Sequence, residues 1–253
     1  MDHALQKAGI WKRAAAWLLD SILVCVLATG VAAVLSALLG YDSYQQSLQD
    51  GYDRYEKQYG VTFQMTAQEH EALTEEQKKN WEEAYQALIK DEAVLKDYNM
   101  VINLILVNTS LSILAAILLL EFVLPLVLKN GQTVGKKLFG LCLVRNDGVQ
   151  VNTLQLLTRA LLGKCAIETM IPVLIVLMLF WGIGGVFGLV VLAVLLLAQL
   201  ICLGVTSTNS ALHDLMAGTV VVDKASQQIF RSTADLIQHQ KRVAAERAAR
   251  QTY

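Results

Sequence analysis

GIWKRAAAWLLDSILVCVLATG, residues 9–30, starts as a membrane helix and then places a carboxylate inside its apolar run. Lys12 and Arg13 stand at the entry flank, and Asp20 follows seven residues after Arg13. Seven residues are about two helical turns, so both side chains share a face, about 10 Å apart along the axis. That is too far for a direct pair unless Arg13 reaches inward.

Spanning the hydrocarbon takes about 20 mostly apolar residues. Residues 17–39 and 101–128 meet that length, the second with Glu121 inside it. The run 165–205 is too long for one crossing: at about 1.5 Å per residue it extends roughly 60 Å, twice the core. It is interrupted by WGIGG at 181–185, where glycines beside an interfacial Trp181 suit a tight turn. Two further spans are therefore predicted, 165–181 and 186–205, the first short and carrying Glu168 and Pro172. The first span reads as retained rather than as a cleaved signal peptide, because Asp20 weakens an apolar signal core.

The composition agrees. Of 253 residues, 55% are hydrophobic and 17% charged, against about a quarter charged in soluble domains. The net charge of −1 hides an asymmetry: residues 42–97 carry 13 acids and 6 bases, and the rest carries 9 acids and 15 bases. Basic residues collect before the first span (Lys7, Lys12, Arg13), between the second and third (Lys129, Lys136, Lys137, Arg145, Arg159, Lys164) and after the fourth (Lys224 onward). Four spans put all three groups on one side, which the positive-inside rule makes the cytoplasm. The expected fold is a mainly α polytopic membrane protein with four transmembrane helices. Its N- and C-termini are cytoplasmic, an extracellular helical hairpin joins spans one and two, and a small β-structure lies at the cytoplasmic face. Residues 1–223 form the membrane domain and 224–253 a basic amphipathic tail. Cys25, Cys142, Cys165 and Cys202 lack CxxC spacing and read as apolar filler, so no disulfide, metal or cofactor is expected.

The outer segment 42–100 repeats tyrosines at mostly three-to-four spacing and holds a capping-box pattern, Thr74 to Gln77. Two helices extending from spans one and two are predicted, with Tyr52, Tyr55, Trp81 and Tyr85 near their seam. These aromatics either pack the hairpin or bind a partner. In the inner segment 129–164, Thr133 suits a cap for a short basic helix ending at Gly140. LCLVR and VQV flank NDG, a hairpin signal, and TVVV at 219–222 is available as a third strand. Asn152 or Thr153 caps an amphipathic helix. STAD, residues 232–235, opens a helical tail that either lies along anionic headgroups or is solvated.

Ionisable residues inside spans usually face a bundle interior or a wet cavity. Here Arg13, Asp20, Glu121, Arg159, Glu168, His213 and Asp214 all converge on the inner half of the membrane. Pro125 acts on the carbonyl of Glu121, four residues before it. Three readings follow: a buried ion-pair network that orients helices, a ligand- or ion-binding cavity, or interfacial snorkelling.

Arg13, Asp20, GQTVGKKLFGLCLV after the second span and LHDLMAGTVVV near the end together resemble the RDD family of prokaryotic integral membrane proteins. The arginine and two aspartates of the family's name map onto Arg13, Asp20 and Asp214. The likeness covers most of 9–39 and 101–223. The resemblance implies a membrane location; transport of unidentified ligands is suggested for the family, and cation/proton antiport for some members.

Three functional classes compete. A non-transporting membrane adaptor or assembly factor, with the polar cluster structural, is the leading expectation. The alternative is an oligomeric transporter, a proton-coupled cation exchanger using Asp20 and Glu121. An enzyme is not expected: His213 and Asp214 are adjacent in sequence, and GQTVGKK lacks Walker spacing. GIGGVFG lies in an apolar run, where helix packing or a turn is its role. The expected partners are the lipid bilayer, anionic headgroups at the tail, and further copies or other membrane proteins, with no nucleic acid; the expected location is the cell membrane.

Overall fold

The computed structural model describes residues 8–128, 131–206 and 208–251. Lys7 and Lys129, which bear on the topology, and Asn130 lie outside the described residues. From the N-terminal side, α1 (Ile10–Leu39) is followed by α2 (Tyr41–Tyr59), α3 (Ala67–Glu71), α4 (Glu75–Leu88) and α5 (Glu92–Val127). A short α6 (Val134–Leu138) and strand β1 (Leu141–Arg145) lead to α7 (Thr153–Phe180) and α8 (Gly185–Val205). Helix α9 (Leu212–Ala217), strand β2 (Thr219–Asp223) and α10 (Thr233–Gln251) follow. Helices α1, α5, α7 and α8 are long and apolar enough to cross a membrane. The chain divides into two compact units, one of residues 30–112 and the other of the segments before and after it.

In the 30–112 unit, α2 packs against α4. The expected capping box starts α4: Gln77 N–H donates to Thr74 Oγ1, and Thr74 N–H donates to Gln77 Oε1. Thr66 and Glu69 form a second box at α3. The second arm does not run unbroken into the second span, as the lack of Gly and Pro predicts. Asp91 Oδ1 accepts from the N–H groups of Ala93 and Val94, at 2.9 and 3.3 Å, and starts a new helix there. An acid that satisfies the first orphan donors begins a helix without any breaker residue. Asn108 Nδ2 donates to Ala32 O at 3.1 Å, which ties α5 to α1.

In the other unit, the predicted hairpin LCLVR–NDG–VQV is mostly absent. The turn is there: Gly148 N–H donates to Arg145 O and Arg145 N–H to Val149 O. The arm after it makes only isolated bridges, Val144 with Gln150 and Val149 with Phe230. The partner of β1 is β2, antiparallel, in the register Leu141↔Asp223 to Arg145↔Thr219. The reason is length. Asn152 already caps α7 through a bond from Gln155 N–H, which leaves too few residues after the turn for a ladder. TVVV, expected as a third strand, therefore takes the whole edge of β1. Leu141, Leu143 and Val221 pack with Ala8, Ala16 and Leu156, and Cys142, Val144, Val220 and Val222 form a second cluster.

The amphipathic helix predicted before the third span is not a separate element. It is the first part of α7, which runs through residue 164 into the span. Two stretches widen to π-helix, Leu118–Val123 in α5 and Thr158–Met170 in α7. Each ends two residues before a proline, Pro125 and Pro172. At their ends Leu124 N–H reaches Leu119 O and Ile171 N–H reaches Ala166 O, five residues back. A proline removes the regular four-residue bond and crowds the carbonyl four residues before it, and the wider turn absorbs that conflict. WGIGG forms the expected turn between α7 and α8, with Gly182 and Gly184 at φ +73° and +93°.

Candidate functional site

The charges that break the apolar runs meet in the unit outside 30–112. Two close approaches assemble them. A Cβ on Gly135 would run into the carbonyl oxygen of Ala16, and one on Gly163 into His213 Cβ. Glycine at these places lets α6 reach α1, and α9 reach α7.

Asp20 is 5% exposed. Its two oxygens are taken by the end of α6: Thr133 Oγ1 donates at 2.5 Å and Gly135 N–H at 2.8 Å. Thr133 is thus more than the predicted cap, because its hydroxyl also accepts from Lys136 Nζ at 3.1 Å. Glu121, in the π-helical stretch of α5, pairs through Oε1 with Lys164 Nζ. Its Oε2 lies 3.5 Å from Arg159 and 3.8 Å from Lys136 Nζ.

Arg159 organises the other half. Its Nε donates to Asp214 Oδ1 at 2.8 Å, and its Nη2 lies 2.8 Å from His213 Nε2. A guanidinium has only donors, so His213 Nε2 accepts and Nδ1–H donates to Glu168, 2.7 Å from Oε2. The imidazole is therefore neutral. Arg13 reaches Asp214 Oδ2 at 3.4 Å and Thr208 O at 3.0 Å. In formal charge, Asp20, Glu121, Glu168 and Asp214 balance Arg13, Lys136, Arg159 and Lys164.

Among the cluster residues outside the spans, the environment shifts three groups. Burial alone would raise the Asp214 carboxyl, but Arg159 and Arg13 more than offset it and hold the group well below the usual carboxylate range. Burial pulls the Lys136 ammonium down to about 8, against the opposing pull of Glu121. Burial also pushes His213 below the ordinary histidine value, despite the carboxylates of Asp214 and Glu168.

All seven residues singled out in the sequence, Arg13, Asp20, Glu121, Arg159, Glu168, His213 and Asp214, come together. Arg13 and Asp20 share a helix face as predicted and do not pair; each is claimed by a different partner. Lys136 and Lys164 escape the sequence reading as members of the cluster. Both sit among the basic residues that set topology, and nothing in their local pattern separates a buried lysine from an exposed one.

The aromatic candidates lie in the 30–112 unit. Tyr52, Phe63, Trp81 and Tyr85 form a chain of ring contacts with centroids 5.3–5.9 Å apart. Trp81 Nε1 donates to Thr62 O at 3.1 Å and pins the turn between α2 and α3. Tyr55 stands apart, stacked on Tyr59 and donating to Asp91 at 3.1 Å. Tyr85 is 40% exposed at the end of the chain of rings.

Residues 7–218 match the RDD family. The uncharacterized protein YckC of Bacillus subtilis (strain 168) is 30% identical over 114 residues, 45% of this chain and 61% of that protein. The match thus spans less than two thirds of that relative. No solved structure matches. Arg13, Asp20 and Asp214 are each engaged in the buried cluster, and with the family match and four helices suited to crossing a bilayer this chain is a multi-pass membrane protein that belongs to the RDD family.

Proposed function

We propose that this chain is a non-transporting adaptor or assembly factor of the cell membrane, in which the buried charge cluster holds the fold. The observation that carries the reading is the engagement of Asp20. Each of its oxygens accepts a hydrogen bond, from Thr133 Oγ1 and from Gly135 N–H, and a cation would have to compete with both. Glu121 is flanked by Lys136, Arg159 and Lys164, which repel a metal ion. A charge-balanced, hydrogen-bonded set is what a structural network needs; an exchanger needs a carboxylate free to trade a proton for a cation.

In this proposal the termini and the sheet face the cytoplasm and the segment 42–100 faces outside, following the positive-inside argument. The exposed Tyr85 edge, with Trp81 and Tyr52 in the same chain of rings and Tyr55 apart from it, meets a partner protein or a second copy. Basic residues of α10 lie along anionic headgroups, and no catalytic step is assigned. One feature favours the competing reading of an oligomeric cation/proton exchanger: π-helical turns concentrate at functional sites, and both occur beside this cluster. Reconstitution separates the two. Purified protein in liposomes with a lumenal pH dye is exposed to Na⁺ and K⁺ gradients, beside an Asp20→Asn variant. No cation-driven pH change from folded protein is expected. A flux present in the parent and lost in the variant sinks the adaptor reading.

A further inference from the structure

Against the charge cluster lies a cavity of about 700 Å³, within the range of roughly 300–1,000 Å³ typical of small-molecule sites. One wall is the cluster itself. The other is apolar and comes from α1 and α8, with Trp17, Val24, Leu192, Leu196 and Leu203 facing the space. A space charged on one side and oily on the other suits an amphiphile.

Two residues that line the charged wall, Glu121 and Lys136, narrow the choice. Glu121 Oε2 is buried and accepts no hydrogen bond from any described residue. Lys136 Nζ lies 3.8 Å from it. Among the described residues that ammonium donates one hydrogen bond, to Thr133 Oγ1, and it has three protons to give. An unused acceptor and unused donors, opposite in charge, therefore sit side by side. The formal charges of this wall already cancel. A guest ion of either sign would leave an uncompensated buried charge, which is costly. A zwitterion brings none.

We propose that this cavity seats an aminophospholipid of the phosphatidylethanolamine type, its primary ammonium on Glu121 Oε2, its phosphodiester on Lys136, and an acyl chain along the apolar wall of α1 and α8. The chemistry excludes the obvious competitors. A choline head has no N–H to give Glu121. An anionic glycerol head has no cation and adds net charge. The proposal stands independently of the adaptor reading, since either an adaptor or an exchanger can hold a structural lipid.

The test is native mass spectrometry of the full chain, delipidated in detergent and offered phosphatidylethanolamine, phosphatidylcholine and phosphatidylglycerol in equal amounts. One phosphatidylethanolamine is expected to stay bound, preferred by about tenfold over either competitor, as one charge-assisted hydrogen bond gained or lost implies. Glu121→Gln should abolish the preference over phosphatidylcholine. Should that variant fail to fold, Leu196→Trp supplies a second probe, because it fills the apolar wall away from the charges. It should melt like the parent and lose the bound lipid. Equal retention of the three lipids, a preference for phosphatidylglycerol, or unchanged retention by folded Leu196→Trp overturns the proposal. So does displacement by glycerophosphoethanolamine as effective as displacement by the whole lipid, since the apolar wall then contributes nothing.

Discussion

Asp91 and Asp214 are acids near the start of a helix, one in each unit, and they work in opposite settings. Asp91 caps α5 at a water-facing surface, where Arg54 at 2.5 Å and Tyr55 at 3.1 Å add to its backbone bonds. Asp214 is 0% exposed and is held between Arg159 and Arg13. In the 30–112 unit, Ala84, Leu88, Val94 and Val101 are buried and no charged side chain is. In the other unit, charges are part of the interior, and each is matched. Solvent screens the first setting more than the second.

The largest effect tests that difference directly. Asp214→Asn removes the charge that Arg159 and Arg13 share and leaves both cations without it. Breaking a buried pair in this way costs about 3–5 kcal/mol, so the variant should melt far below the parent or fail to yield folded protein in detergent. Asp91→Asn should lower the melting temperature much less, because the amide oxygen still caps and solvent screens Arg54. Equal losses from the two substitutions would break the comparison.

Next comes the packing that closes the cluster. Gly163→Ala puts a methyl against His213 Cβ, backbone-anchored on both sides. Overpacking of this kind costs about 1–3 kcal/mol, and thermal unfolding should show it without any change in charge. Gly163 also marks where legibility ends. The charges themselves were visible, because Asp20, Glu121 and Glu168 interrupt apolar runs that tolerate few of them. Their pairings were not visible. Arg13 meets Asp214 across 201 positions of sequence, Asp20 meets Thr133 across 113, and Lys164 meets Glu121 across 43. No periodicity reports contacts at such range, and a glycine inside a helix gives no sign of which neighbour needs the space.

A smaller effect belongs to the other region. Thr74→Ala deletes a cap on exposed α4 and should cost about 1 kcal/mol, within the span of roughly 0.5–2 measured for such caps. Circular dichroism melts of the full chain would register it, and restoration by Thr74→Ser would identify the hydroxyl as the cause. Thr74 and Gln77 were read correctly from sequence because donor and acceptor stand three residues apart. The misread break at Asp91 is equally local, an N-cap without the usual breaker residues. The strand pairing was harder: β1 had a nearby arm after NDG and a distant one in TVVV, and only the position of the Asn152 cap disqualified the nearer.

The smallest effect is a slope rather than a step, and it sharpens the contrast to a single proton. His213 accepts from Arg159 at Nε2 and donates to Glu168 from Nδ1, so protonation would point a new N–H at a guanidinium. Burial already sets the folded imidazole below its ordinary value. As pH falls through about 6.5, the unfolded chain takes up this proton first. Stability contributed by the neutral ring is therefore complete above that pH and declines below it, until the folded ring also protonates. The melting temperature should drop between pH 6.5 and 5, and His213→Gln, which keeps an acceptor and a donor but cannot titrate, should flatten the drop. A parent protein whose stability is level across that window would show that the Arg159–His213 bond is not what holds α9 to α7.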